Sequence, residues 1–125
     1  MHGFVKLTEA SHGEPRYIHA AAVVHIYRDP NEGRDMMVCM AEGTRAMVRE
    51  SIDDLAVMFP NLRLIEDKDG NPHLVDPSRI VDVWTYPMGG GSVVTLRGGD
   101  GLICHMTPEE ILSLASAARA VKPFR

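Results

Sequence analysis

Cysteine is scarce in this chain. Cys39 and Cys104 are the only two in 125 residues. Two thiols cannot build the multi-bridge framework of a disulfide-dense secreted domain. Both fall in apolar, strand-like segments, so buried free thiols in a reducing compartment are the expectation. A basic excess is also missing: 13 Lys and Arg stand against 17 Asp and Glu, a net charge of −4. That argues against broad nucleic-acid affinity, which draws on a basic face. No basic start leads into an apolar run, so no signal peptide is expected. No apolar run approaches the length that spans a bilayer, and a cytoplasmic, membrane-free protein is the reading. Compact ligand motifs are absent too, since neither Cys-x-x-Cys nor His-x-x-x-His occurs.

What is present is a repeat. Gly13-Glu14-Pro15-Arg16-Tyr17-Ile18 lies over Gly70-Asn71-Pro72-His73-Leu74-Val75, 57 residues on. At the same offset Val23-Val24-His25-Ile26-Tyr27 meets Ile80-Val81-Asp82-Val83-Trp84, and Leu7 meets Leu64. One residue is then lost, inside an expected hairpin turn where length changes are tolerated. Beyond it Val38 meets Val94, Gly43 meets Gly99, Ser51 meets Thr107 and Leu55 meets Ile111. Apolar positions, turn glycines and helix caps stay in phase. Each half alone, at about 55 residues, would be marginal as an independent core. The length and an ordinary mix of 45% apolar and 24% charged residues suit one domain over 1–125. It divides into repeat one at 4–59 and repeat two at 61–119.

Each repeat reads as four or five short strands and one helix. Asp29-Pro30-Asn31-Glu32-Gly33 and Asp67-Lys68-Asp69-Gly70 are turn sequences. Arg97-Gly98-Gly99-Asp100-Gly101 is a tight hairpin. Ser51 caps a helix whose Ile52, Leu55, Ala56 and Phe59 form one apolar stripe, and Pro60 stops it. Thr107-Pro108-Glu109-Glu110 is a capping box with proline at the first helical position. The fold class expected is α+β: short antiparallel strands in two fused, pseudo-twofold repeats, each ending in one helix.

The second half resembles the small flagellar-operon FlbD-like proteins. The pattern is a leading strand with a glycine turn (Leu62 to Gly70), an apolar strand after Pro77-Ser78-Arg79-Ile80, Val93-Val94-Thr95-Leu96 before a glycine turn, and the Thr107-Pro108-Glu109-Glu110 helix start. The resemblance covers about 50 residues, and the chain would be a tandem duplication of that unit. It implies a small, non-enzymatic, cytoplasmic bacterial protein. The same pattern is fainter in its similarity to half of a LytTR-type DNA-binding domain, whose basic reading stretch is missing here.

Candidate chemistry divides into ligand sets and surfaces. Across the repeat His19 aligns with Asp76 and His25 with Asp82. If the halves pack about a twofold axis, these would converge as a set that zinc or iron accepts. Structural histidines are the simpler expectation. Cys104 and His105 are adjacent on one strand and point to opposite faces, so they form no dyad. Met88-Gly89-Gly90-Gly91 and the 98–101 glycines lie between strands, unlike phosphate loops. Asp53-Asp54 and Glu109-Glu110 sit at helix starts, where capping accounts for them. No catalytic residue, no metal ligand and no cofactor is therefore assigned. Met36 and Met37 are consecutive, as Val93 and Val94 are, which makes their strands apolar on both faces: central in a sheet, or at an interface. With the aromatics they give the candidate protein interface: Met36, Met37, Tyr27, Trp84, Tyr86 and Phe124. The function expected is a protein-binding or scaffold module of a bacterial or phage cytoplasm, its partner another protein or a second copy of the chain. A nucleic-acid regulator using Arg16, Arg28, Arg45, Arg49 and the C-terminal cations is the alternative. A metal- or ligand-dependent enzyme using His19, His25, Asp76 and Asp82 is the second alternative.

Overall fold

The computed structural model describes residues 3–28 and 33–121, with side chains through 116. The expected turn at 29–33, apart from Gly33, and Phe124 lie outside the described residues. The first half runs β1 (Phe4–Thr8), β2 (Pro15–His19), a 3-10 turn (Ala20–Ala22), β3 (Val23–Arg28), β4 (Met36–Met40), β5 (Arg45–Val48) and α1 (Ile52–Met58). The second runs β6 (Arg63–Glu66), β7 (Pro72–Val75), a 3-10 turn (Pro77–Arg79), β8 (Ile80–Thr85), β9 (Ser92–Leu96), β10 (Gly101–Cys104) and α2 (Pro108–Val121). The fold is α+β with short antiparallel strands, and the order of elements is the same in both halves.

Equivalent residues make equivalent local bonds. His19 caps the first 3-10 turn through Nδ1, accepting from the Ala21 amide at 3.3 Å; Asp76 caps the second, accepting from Ser78 at 3.0 Å. Ser51 accepts from the Asp54 amide at the start of α1. Thr107 and Glu110 bond reciprocally at the start of α2, a complete capping box. The end of β1 bridges β5 through Glu9 and Val48, and the end of β6 bridges β10 through Asp67 and Cys104.

The correspondence stops at sheet pairing. β1 and β2 form a two-stranded sheet of their own, and β10-β9-β8 form a three-stranded one. β6 and β7, by contrast, join the first half's meander: β7 pairs antiparallel with β3, giving the order β5-β4-β3-β7-β6. Both faces of that five-stranded sheet are covered. On one face Ile26, Val38, Ala46 and Leu74 pack with Leu7, Ile18, Leu55 and Phe59 from the first hairpin and α1. On the other Val24, Ile65 and Val75 pack with Val94, Leu96, Leu102 and Ile111 from the three-stranded sheet and α2.

This double burial explains the run Val23-Val24-His25-Ile26, buried at every position instead of alternating. It also settles the strand that carries two consecutive methionines. β4 lies inside the sheet; Met36 is buried and Met37 half-buried, so Met36 belongs to the core.

Phe59 is fully buried and Val57, two residues earlier, is 80% exposed. Phe59→Ala is expected to cost about 3–5 kcal/mol, read as a fall in the urea midpoint. Val57→Ala is expected to stay within about 0.5 kcal/mol. Equal effects would contradict the packing of α1.

Candidate functional site

Strand register builds one polar row on the face of the five-stranded sheet that meets the second half. Cys39 on β4 stands opposite His25 on β3 and opposite Arg45 on β5. Tyr27, two residues along β3 and so on the same face, stands opposite His73 on β7. The rings of Tyr27, His25 and His73 stack nearly parallel, with centroids 4.8 to 5.7 Å apart.

Two loops of the second half supply carboxylates. Asp67, after β6, accepts from the Asp69 and Asn71 amides through Oδ1, while its Oδ2 lies 2.9 Å from His73 Nε2. Asp100 comes from the β9–β10 turn. Gly98 in that turn has φ +99°, and a Cβ there would sit 3.4 Å from the Met40 and Ala41 carbonyl oxygens. Glycine thus lets the turn settle on the end of β4, which brings Asp100 over the row. Arg45 donates to Asp100 Oδ1 at 2.6 Å and to the Tyr27 hydroxyl at 3.2 Å.

The hydrogen bonds set the protons. The Asp67 carboxylate only accepts, so His73 carries its proton on Nε2. With both rings neutral, His73 Nδ1 accepts from His25 Nε2, 2.8 Å away. Neutral His25 is thereby left with a bare Nδ1. That atom is buried and, among the described residues, has no hydrogen-bond partner, in a residue 2% exposed. Its neighbour is Asp100 Oδ2 at 3.5 Å, itself an acceptor.

Electrostatics follow from the same layout. Burial pushes the His25 pKa down, against the pull of Asp100. The Asp100 carboxyl is held well below the usual range, first by the hydrogen bond the His25 ring gives it when Nδ1 is protonated, against burial, then by the Cys39 thiol and Arg45. Burial pushes the Cys39 thiol far up, and the Asp100 carboxylate adds to this. Burial opposes ionisation of Asp67, but the His73 bond and the two loop amides outweigh it and lower its pKa. A thiol held protonated is a poor nucleophile.

The structure also relocates residues singled out from the sequence. Asp82 is exposed, whereas His25 is buried. His19 and Asp76 serve as caps, so the set His19, His25, Asp76 and Asp82 is not brought together. Among the described residues, the group with metal-ligand spacing is His25, Cys39 and Asp100, within 4.8 Å of one another. Cys104 is buried in the second core, and exposed His105 sits 3.2 Å from the Lys68 carbonyl oxygen. Of the candidate interface, Tyr27 is engaged in the row and Met36 is in the core. Met37 and Tyr86 are half-buried, and Trp84 is 50% exposed. Arg28, Arg34 and Arg49 line a surface groove of about 510 Å³, and Tyr86, Met88 and His105 line a hollow of about 270 Å³. The sequence reading missed His73 and Asp100 as partners of His25. The available signal was a histidine in each of two strands that turned out to be neighbours.

Comparison with known protein families matches no family model, and comparison with curated proteins gives no match.

His25 and Asp100 both have lowered pKa values, so the unfolded chain binds more protons than the folded one. The stability they contribute is fully present above the ordinary histidine value of 6.5. It is lost progressively as pH falls through the histidine and then the carboxylate range. The thermal midpoint in metal-free buffer is expected to fall between pH 7 and 4, and more steeply in Asp100→Asn, where the pull that holds the His25 pKa up is gone. A midpoint that rises on acidification would contradict the arrangement.

Proposed function

We propose that the chain is a non-enzymatic protein-binding module of a bacterial or phage cytoplasm, and that its first partner is a second copy of itself. The observation that carries this reading is the edge strand β8, which exposes Val81 and Trp84 and has α2 beside it. It pairs with β9 alone, and among the described residues nothing bonds its other side. Other edges are partly used: β5 by the Glu9–Val48 bridge and the Ala10 amide on the Met47 carbonyl, β10 by the Asp67–Cys104 bridge. β8 is six residues long, whereas the other edge strands without a second partner among the described residues, β2 and β6, have five and four. Its side chains Val81 and Trp84 are 60% and 50% exposed. Trp84 stands opposite Val93, which in turn stands opposite Ile103, so an apolar row crosses the sheet's outer face. Antiparallel addition of a second β8 would cover the edge and extend this row.

The rival readings have less behind them. Arg45 is tied to Asp100 and Arg49 to the Ala10 carbonyl, which leaves fewer cations for a nucleic-acid face. The histidine–aspartate set required by the enzyme reading is dispersed. Among the described residues no helix is long and apolar enough to cross a membrane.

Trp84 is the single tryptophan, so its emission reports this face alone. Light scattering is expected to show twice the chain mass of 13.8 kDa as concentration rises, with a blue shift of Trp84 emission. Trp84→Lys is expected to hold the chain at the monomer mass. A wild-type monomer at all concentrations, with unshifted emission, would contradict strand addition.

A further inference from the structure

We propose that His25, Cys39 and Asp100 form a binding site for a zinc-class divalent metal ion, with Nδ1, Sγ and Oδ2 as its three protein ligands. This goes beyond the protein-binding reading and does not rest on it. The first observation is the bare His25 Nδ1, buried, without a hydrogen-bond partner and facing another acceptor. Buried polar atoms are nearly always satisfied, and two facing lone pairs call for a positive charge between them.

The spacing is that of coordination, not of hydrogen bonding. Nδ1 and Oδ2 are 3.5 Å apart, whereas a charge-assisted N–H···O bond measures about 2.7–2.9 Å. Around a tetrahedral ion with ligands at about 2.0–2.3 Å, neighbouring ligand atoms lie roughly 3.3–3.8 Å apart. The full set, within 4.8 Å, comes into that range with side-chain shifts of about 1 Å.

The outer groups match what a metal-bound histidine needs. With both rings neutral, His25 Nε2 donates to His73, whose other nitrogen donates to Asp67. Such a relay fixes the tautomer and aims Nδ1 at the ion. Arg45 occupies Asp100 Oδ1 and leaves Oδ2 for the metal. Nitrogen, sulfur and oxygen donors together select zinc-class ions over magnesium or calcium, which take oxygen ligands. As the Cys39 sulfur binds the metal, its proton leaves to solvent. Three protein ligands leave a fourth position for water. The two halves each contribute ligands, so the ion would tie β3 and β4 to the β9–β10 turn.

The test is titration of the full chain with Co²⁺, a coloured stand-in for Zn²⁺. One equivalent is expected to bind, with a near-ultraviolet thiolate-to-cobalt absorption that Zn²⁺ abolishes. Cys39→Ser should remove this band and Cys104→Ser should leave it. Asp67→Asn keeps all three ligands and should weaken Zn²⁺ binding 10- to 100-fold. Absence of the band in folded wild-type protein would overturn the site. So would a band that disappears with Cys104, or unchanged affinity in Asp67→Asn. If Cys39→Ser fails to fold, Cys104→Ser and Asp67→Asn still decide the outcome.

Discussion

A sheet covered on both faces leaves little room for water, so each polar side chain on its inner strands must find its partner within the protein. The β3–β7 pairing imposes that condition here. It joins the second hairpin to the first meander and places two histidines on neighbouring strands in the interior. The resulting network satisfies His73 through Asp67 and His25, and Tyr27 through Arg45. It leaves one nitrogen over, His25 Nδ1. Everything distinctive about the site comes from that remainder.

The halves repeat their local chemistry and differ in their long-range pairing. His19 and Asp76 do the same job with different side chains, because a 3-10 turn needs only a short-range acceptor at that position. Tyr27 and Trp84 are equivalent in sequence and not in surroundings. Tyr27 stacks on buried histidines in the five-stranded sheet, while Trp84 sits beside the open edge of the three-stranded one. The polar row and the exposed edge thus share one origin. The first half's middle strand gained β7 as a second strand partner, while among the described residues β8 pairs with β9 alone.

Much of the fold was legible in the sequence because it is written in short-range signals. Ser51 and Thr107 marked both helix starts, and Gly98-Gly99 marked the turn that carries Asp100. Met36-Met37 marked a strand with two apolar faces, and the structure places it inside a sheet. The site was less legible because it depends on pairing between segments about 50 residues apart. Repeat logic matched His25 with Asp82, its counterpart in sequence, and that match assumes a symmetry the sheet does not keep. His73 faces inward because β7 adds to β3, and no spacing within 70–75 encodes that. Asp100 read as a turn residue, which it is; its second role comes from where the turn lands.

With both rings neutral, the Asp67–His73 relay holds His25 with its proton on Nε2 and its Nδ1 bare. Long-range ¹H–¹⁵N NMR of the imidazole nitrogens tests this directly in metal-free protein at neutral pH. The expected result is a neutral His25 ring with Nε2–H and a non-protonated Nδ1 whose resonance moves when Zn²⁺ is added. A proton found on Nδ1, bonded to Asp100 and unaffected by Zn²⁺, would contradict it.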